Sequence, residues 1–123
     1  MNTNMIADAV DDFLRTKHSR VYRNSSTSNP VFPYVVYRVE SVVDSIPSED
    51  FYIHVDIHED TSKSVRVMED LADTIDNSLN DLVMNADGFN AHFTRESRQF
   101  VDGNELISEQ VIFLRYNTRI YFK

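Results

Sequence analysis

The sequence predicts an α+β domain in which a mostly antiparallel sheet of four to five strands carries two helices packed on one face. Three observations predict it. Two segments repeat apolar residues at helical spacing, several others alternate apolar with polar residues, and only 2 Gly and 3 Pro occur in 123 residues. That length fits a single domain, residues 1–123, made mostly of regular structure.

The first element is a short helix near residues 3–16. A brief strand at residues 21–22 and a polar loop at residues 24–30 follow. Residues 34–40 are dense in β-branched and aromatic side chains, which predicts the next strand. The helix is predicted by apolar residues at the i, i+3, i+4, i+7, i+8 spacing of one buried stripe: Ile6, Ala9, Val10, Phe13 and Leu14.

The clearest strand covers residues 51–58, where apolar and polar side chains alternate without a break. Such a strand packs one face on a core and leaves the other polar. A long helix follows from residue 61 to about 84, then a strand over residues 89–98 and a hairpin turn at residues 101–104. The last strand, residues 106–121, is apolar on both faces in places, so it lies at the centre of the sheet or is covered by a partner.

Composition excludes several classes of function. With no Cys, the chain forms no disulfide and offers no thiolate ligand or nucleophile, which suits a reducing compartment. No apolar run approaches a membrane span, and the N-terminus lacks the pattern of a signal peptide. The net charge of −8 argues against a nucleic-acid binder. Seven acids and no Lys or Arg occur between Glu40 and Asp60.

No motif for catalysis is present. The two glycines, Gly88 and Gly103, form no phosphate-binding loop, and there is no nucleophile-elbow motif. We therefore expect no enzymatic activity and no cofactor. His54, Asp56 and His58 share one strand face and could in principle hold Zn²⁺ or Cu²⁺, although structural zinc usually has four ligands. The alternative is that they are the polar face of a half-buried strand.

The order of several segments resembles one family, the tail-terminator or tail-completion proteins of long-tailed bacteriophages and prophages. These segments are the N-terminal amphipathic helix, Arg20-Val-Tyr22 before a polar loop, the strand Phe32-Pro-Tyr-Val-Val-Tyr37, and Val55-Asp-Ile57 followed by acids. The long helix with Ala72-Asp73 and a C-terminal β-hairpin complete the pattern, which spans nearly the whole chain.

The resemblance implies a structural virion protein at the head–tail junction, assembled in the host cytoplasm. Such subunits form a ring, usually a hexamer, that caps the tail tube, ends its polymerisation and meets the head connector or head-closure protein. DNA passes through the ring only as cargo, and no membrane is involved. The alternatives are a head-closure or neck protein, or a non-viral acidic cytosolic adaptor that binds a basic partner.

Candidate residues follow from strand faces and charge. An acidic channel would repel phosphates, so clustered acids on an inward-facing sheet are expected to line it. Tyr combines apolar area with a polar tip and is favoured at interfaces, and the loops at residues 24–30 and 98–104 are further contact candidates. The channel candidates are Asp44, Glu49, Asp50 and Asp56. The interface candidates are Tyr34, Tyr37, Tyr52, Arg98 and Asp102.

Overall fold

The computed structural model describes residues 3–27, 30–45, 48–86, 88–102 and 109–122, without the side chains of residues 42–45, 48 and 49. Two helices and six strands make up this part of the chain. In chain order they are α1 (Thr3–Arg15), β1 (Val21–Arg23), β2 (Tyr34–Ser45), β3 (Ser48–Asp60), α2 (Val65–Leu79), β4 (Val83–Ala86), β5 (Phe89–Val101) and β6 (Glu109–Phe122).

All six strands form one mixed sheet in the order β1-β2-β3-β6-β5-β4. β1 pairs with β2 in parallel, and the other four pairings are antiparallel. The α+β class and the mostly antiparallel pairing are confirmed. The expected four to five strands become six, because β4 was assigned to the end of the preceding helix.

Both helices pack on the same face of the sheet, against one continuous core. α1 lies over β1 and β2, and α2 lies over β3, β6 and β5. The alternation of β3 supplies the sheet side of this core with Phe51, Ile53, Val55 and Ile57, all fully buried. Burying each such side chain stabilises the fold by roughly 1.5–3 kcal/mol relative to exposure. The helices contribute Ile6, Ala7, Val10, Leu14, Met68, Ala72, Ile75 and Leu79.

α2 is shorter than the predicted helix of residues 61–84. Its N-cap is Ser64, whose hydroxyl accepts a hydrogen bond from the Arg66 amide at 3.2 Å. It ends at Leu79 because Asn80 is extended and Asp81 takes φ +64°, a left-handed conformation that Asp tolerates better than most residues. Leu82 lies at helical spacing from the apolar residues of α2, which made the predicted helix longer, but the residues that follow it form β4.

β5 and β6 form the predicted C-terminal hairpin, but the strands run further than expected. β5 continues through Val101, which pairs with Val111, so residues 98–101 are strand rather than loop. Residues 103 and 104 of the predicted turn lie outside the described residues. β6 lies between β3 and β5, and this central position explains its apolar residues on both faces. Neither described helix is long and apolar enough to cross a membrane.

Candidate partner surface on the open face of the sheet

The sheet face opposite the helices, here called the open face, carries the polar side chains of β3. Tyr52, His54, Asp56 and His58 all lie there and are half-buried, because the strand directs every second residue away from the core. The cross-strand register adds side chains from β2 and β6 to the same face. Those neighbours are Tyr34, Val36, Arg38, Glu40, Val111, Phe113, Arg115 and Asn117.

One end of the open face is built around Glu109. Its Oε1 accepts a hydrogen bond from the Tyr34 hydroxyl at 2.8 Å, and its Oε2 lies 2.9 Å from His58 Nδ1. The Tyr34 and His58 rings stack in parallel, with centroids 4.7 Å apart. Burial, and then the hydrogen bond to Glu109, raise the pKa of Tyr34 to about 12. These contacts fix both rings, so this end of the face presents a preformed surface.

Asp56 lies in the middle of the open face between two apolar neighbours, Val36 on β2 and Phe113 on β6. Burial raises the pKa of its carboxyl, despite the opposing influence of His58, Arg38 and His54. Phe113 is 38% exposed, whereas Val36 is 7% exposed. The centre of the face is therefore apolar around one poorly solvated carboxyl group.

Basic and acidic side chains surround this centre. His54 Nε2 lies 3.0 Å from a Glu40 oxygen. The Arg115 guanidinium lies 4.8 Å from the Tyr52 ring centroid, and its Nε is 3.1 Å from Glu96. The open face therefore carries basic as well as acidic side chains and is not uniformly acidic.

The four predicted channel acids separate into two groups. Asp44 and Glu49 face each other in the backbone register at the end of the β2–β3 hairpin, and their side chains lie outside the described part of the structure. Asp50 and Asp56 share the open face, because β3 begins at Ser48 rather than at residue 51. Asp50 accepts a hydrogen bond from Arg119 Nε at 3.2 Å, which compensates its charge.

The five predicted interface residues do not share one surface. Tyr34 and Tyr52 both point to the open-face side of the sheet, but Tyr34 is only 4% exposed, so of these two only Tyr52 is accessible to a partner. Tyr37 is 3% exposed and belongs to the core, because its position on β2 faces the helices, so this chain does not present it to a partner. Arg98 donates to Asp73 of α2 at 2.7 Å, and Asp102 is exposed just beyond β5.

The two histidines of the metal hypothesis each have a carboxylate neighbour, Glu40 for His54 and Glu109 for His58. Within the described residues, no group of three or more His, Asp or Glu side chains is arranged to hold a metal ion. On this part of the chain the three residues form the polar face of a half-buried strand.

Sequence reasoning missed a buried polar network between α2 and the sheet. Asp76 accepts hydrogen bonds from the Tyr116 hydroxyl and from Arg95 Nη1, both at 2.7 Å. Tyr116 is fully buried and Asp76 is 8% exposed. On a helical wheel Asp76 falls outside the apolar stripe of α2, so the spacing pattern favours an exposed position for it. The signal available was its position one residue after the buried Ile75, at the edge of the apolar stripe.

No protein-family model matches the chain, and no curated protein matches it. One solved structure, of a protein whose name describes no function, is similar in fold. The match covers 100% of this chain and 98% of the other, with a TM-score of 0.74 and 15% sequence identity. At that identity the likeness concerns the fold alone.

Proposed function

We propose that this protein is a structural, non-catalytic subunit of a long-tailed phage particle. It forms a ring at the head–tail junction that caps the tail tube, ends tube polymerisation and joins the head connector. The observation that carries the proposal is the order of segments. The amphipathic helix, the Tyr-rich strand after a polar loop, the alternating strand followed by acids, the long helix and the terminal hairpin resemble tail-terminator proteins in sequence.

The open face supports a role in assembly. It holds the Tyr52 ring against the Arg115 guanidinium, beside an apolar centre at Phe113. Aromatic and Arg side chains held in place are the residues that contribute most at protein interfaces. A face of this composition suits a protein partner better than a nucleic acid, since the whole chain carries −8.

The acidic surface that would repel passing DNA is better supplied by the helices than by the sheet. Asp50 is compensated by Arg119, and Asp56 is half-buried. The helix layer, in contrast, exposes carboxylates that point away from the core. These exposed acids are Asp8 and Asp12 on α1, and Glu69 and Asp70 on α2. In the proposed ring, the helix layer therefore faces the channel.

Two measurements test the proposal. Light scattering after size exclusion is expected to give a defined oligomer, alone or after mixing with purified tail tubes. Adding the protein to polymerising tube subunits is expected to shorten the tubes, and the protein should be seen at tube ends by electron microscopy. A protein that stays monomeric and leaves tube length unchanged contradicts the proposal.

The acidic side of α2 favours a second candidate, a cytosolic adaptor that binds a basic protein. Three exposed acids, Glu69, Asp70 and Asp73, lie there, and Arg98 pairs with the last of them. An adaptor predicts a monomer whose binding weakens steeply with salt. A head-closure protein would instead bind the connector and leave the length of tail tubes unchanged.

A further inference from the structure

In the part of the chain that the structure describes, two stretches of strand edge, at opposite sides of the sheet, have no backbone hydrogen-bonding partner. β1 pairs only with residues 35–37 of β2, and β4 pairs only with residues 89–92 of β5. The Phe93 backbone bonds to residues 81 and 82, and the Arg95 amide donates to the Asn80 side chain. Beyond these points, the described residues provide no further backbone partner for the outer side of either strand.

The β5 edge exposes apolar side chains where an isolated protein would avoid them. Phe100 is 45% exposed and Val101 is 40% exposed, at the end of the strand that the helices do not cover. Exposed edge strands with apolar residues promote pairing with another chain, and natural proteins usually protect them. Here the protection is partial, because a bulge between Arg95 and Ser97 and the charged Arg98 precede the apolar end.

The two edges match each other in direction. β2 and β5 run in opposite directions, since three antiparallel pairings separate them. Two copies placed side by side in one sheet would therefore join β2 of one copy to β5 of the next as an antiparallel pair. The same interface repeated from copy to copy is heterologous, and a heterologous interface closes into a ring when its rotation allows.

The hydrogen-bonding groups of the two edges also match. The Tyr37 carbonyl bonds outward to the Asn24 amide, so the alternation directs the groups of Val39 and Ser41 outward as well. On β5, the backbone groups of Phe93 point outward, away from β6. Arg98 and Phe100, which pair with Leu114 and Ile112, continue this alternation, so their backbone groups point outward too. The side chains of all four outward positions lie on the helix side of the sheet.

We propose that subunits of this protein assemble by pairing the β2 edge of one copy, from Arg38 to Val43, with the β5 edge of the next, from Glu96 to Val101. This inference rests on the proposed ring. Placing Phe100 opposite Val39 packs an exposed aromatic ring on a half-buried aliphatic side chain. The same register sets Arg98 opposite Ser41 and Gln99 opposite Glu40.

This register displaces neighbouring copies along the strands. Within one copy, the cross-strand register aligns Val39 with Tyr116 of β6, and Phe100 with Ile112 of β6. The next copy is therefore displaced by four residues, about 13 Å at the rise of a strand. Closed sheets need this kind of stagger, because it tilts the strands relative to the axis of closure.

Disulfide trapping tests the pairing cleanly, because the natural chain contains no Cys. Glu40→Cys and Gln99→Cys are exposed positions that meet as a non-hydrogen-bonded pair, with Cα atoms about 4.5 Å apart. Within one copy, three strand spacings of about 4.8 Å separate β2 from β5, too far for a disulfide. If the register were shifted by two residues, Glu40→Cys would instead cross-link to Ser97→Cys or to Val101→Cys.

Mixing the two single variants, one of them tagged, is expected to give tagged–untagged dimers under mild oxidation. The double variant is expected to give a ladder that ends at a closed covalent ring. The matched control mixes Glu69→Cys with Asp70→Cys, which are both exposed on α2 and stay one subunit apart in the proposed pairing. Phe100→Lys is expected to lower the cross-linked yield roughly tenfold, because Phe burial is lost. Val67→Lys, on exposed α2, leaves the yield unchanged.

Three results would overturn the edge pairing. Cross-links that form within each single variant alone indicate two-fold pairing of like edges. A mixed yield no higher than the helix control, while light scattering shows an oligomer, places the subunit contact elsewhere and leaves the proposed ring standing. A mixed yield at control level from a monomer that also fails to cap tubes removes both the edge pairing and the ring.

Discussion

The buried Asp76 network gives a quantitative test of how α2 is held on the sheet. Asp76 accepts from Tyr116 and from Arg95 through its two carboxylate oxygens. Burial, and then the Asp76 contact, raise the pKa of Tyr116, so its hydroxyl remains a hydrogen-bond donor. Replacing Asp76 with Ala leaves that hydroxyl buried without its acceptor and leaves Arg95 without its ion pair.

The expected magnitudes follow from the exposure of each partner. Leaving the buried Tyr116 hydroxyl without its acceptor lowers the free energy of unfolding by about 1–3 kcal/mol. The Arg95 side chain is 39% exposed, so its lost ion pair adds less than about 1 kcal/mol. Asp76→Ala is therefore expected to lower the free energy of unfolding by about 1–4 kcal/mol. Tyr116→Phe removes one hydrogen bond to a charged group, worth about 1.5–3 kcal/mol.

Urea unfolding of the single and double variants measures the coupling. If the hydroxyl and the carboxylate stabilise the fold through each other, the double variant loses about 1–2 kcal/mol less than the sum of the single losses. Tyr121→Phe, on the same strand but 44% exposed, is the control and should change stability by less than about 0.5 kcal/mol. Additive losses within about 0.5 kcal/mol would refute the reasoning, because the two groups would then act independently.

Three further variants test other local arguments. Asp56→Asn is expected to stabilise the fold at neutral pH. Burial raises the folded-state pKa of Asp56 above the unfolded value of 3.8, so ionisation of this carboxyl opposes folding. The gain in unfolding free energy, measured by urea titration, should therefore disappear near pH 4, where the carboxyl is protonated in both states. Gly88→Ala is expected to lower the melting temperature, since Gly88 has φ +98° and a Cβ there would lie 3.2 Å from Met5 Sδ; an unchanged value contradicts this. Ser64→Ala should cost about 1 kcal/mol of unfolding free energy by removing the α2 N-cap, whereas Ser62→Ala, before the helix, should not.

Periodicity was enough to predict the elements in which one residue face is buried. The N-terminal helix and the strand at residues 51–58 have uninterrupted patterns, and both appear close to the predicted bounds. The end of α2 was wrong, because Leu82 continues the helical spacing by coincidence while Asp81 turns the backbone. A spacing pattern contains no information about a single left-handed residue, so β4 was missed.

The candidate site was less predictable than the fold, because it depends on which strands become neighbours. Asp50 lay outside the predicted strand at residues 51–58, so the sequence pattern could place neither its side chain on the face of Asp56 nor Arg119 beside it. Tyr37 looked equivalent to Tyr34 in sequence. The two lie three residues apart on one strand and therefore face opposite sides, so one joins the core and the other joins Glu109.

Charge and edge exposure act against each other in this molecule. A net charge of −8 keeps copies apart in dilute solution, whereas the uncovered edges and the exposed Phe100 favour their pairing. Because the repulsion between exposed charges is long-ranged and the backbone pairing is short-ranged, copies held together on a template are expected to pair more readily than free copies. In the ring proposed above, the end of a tail tube would be such a template.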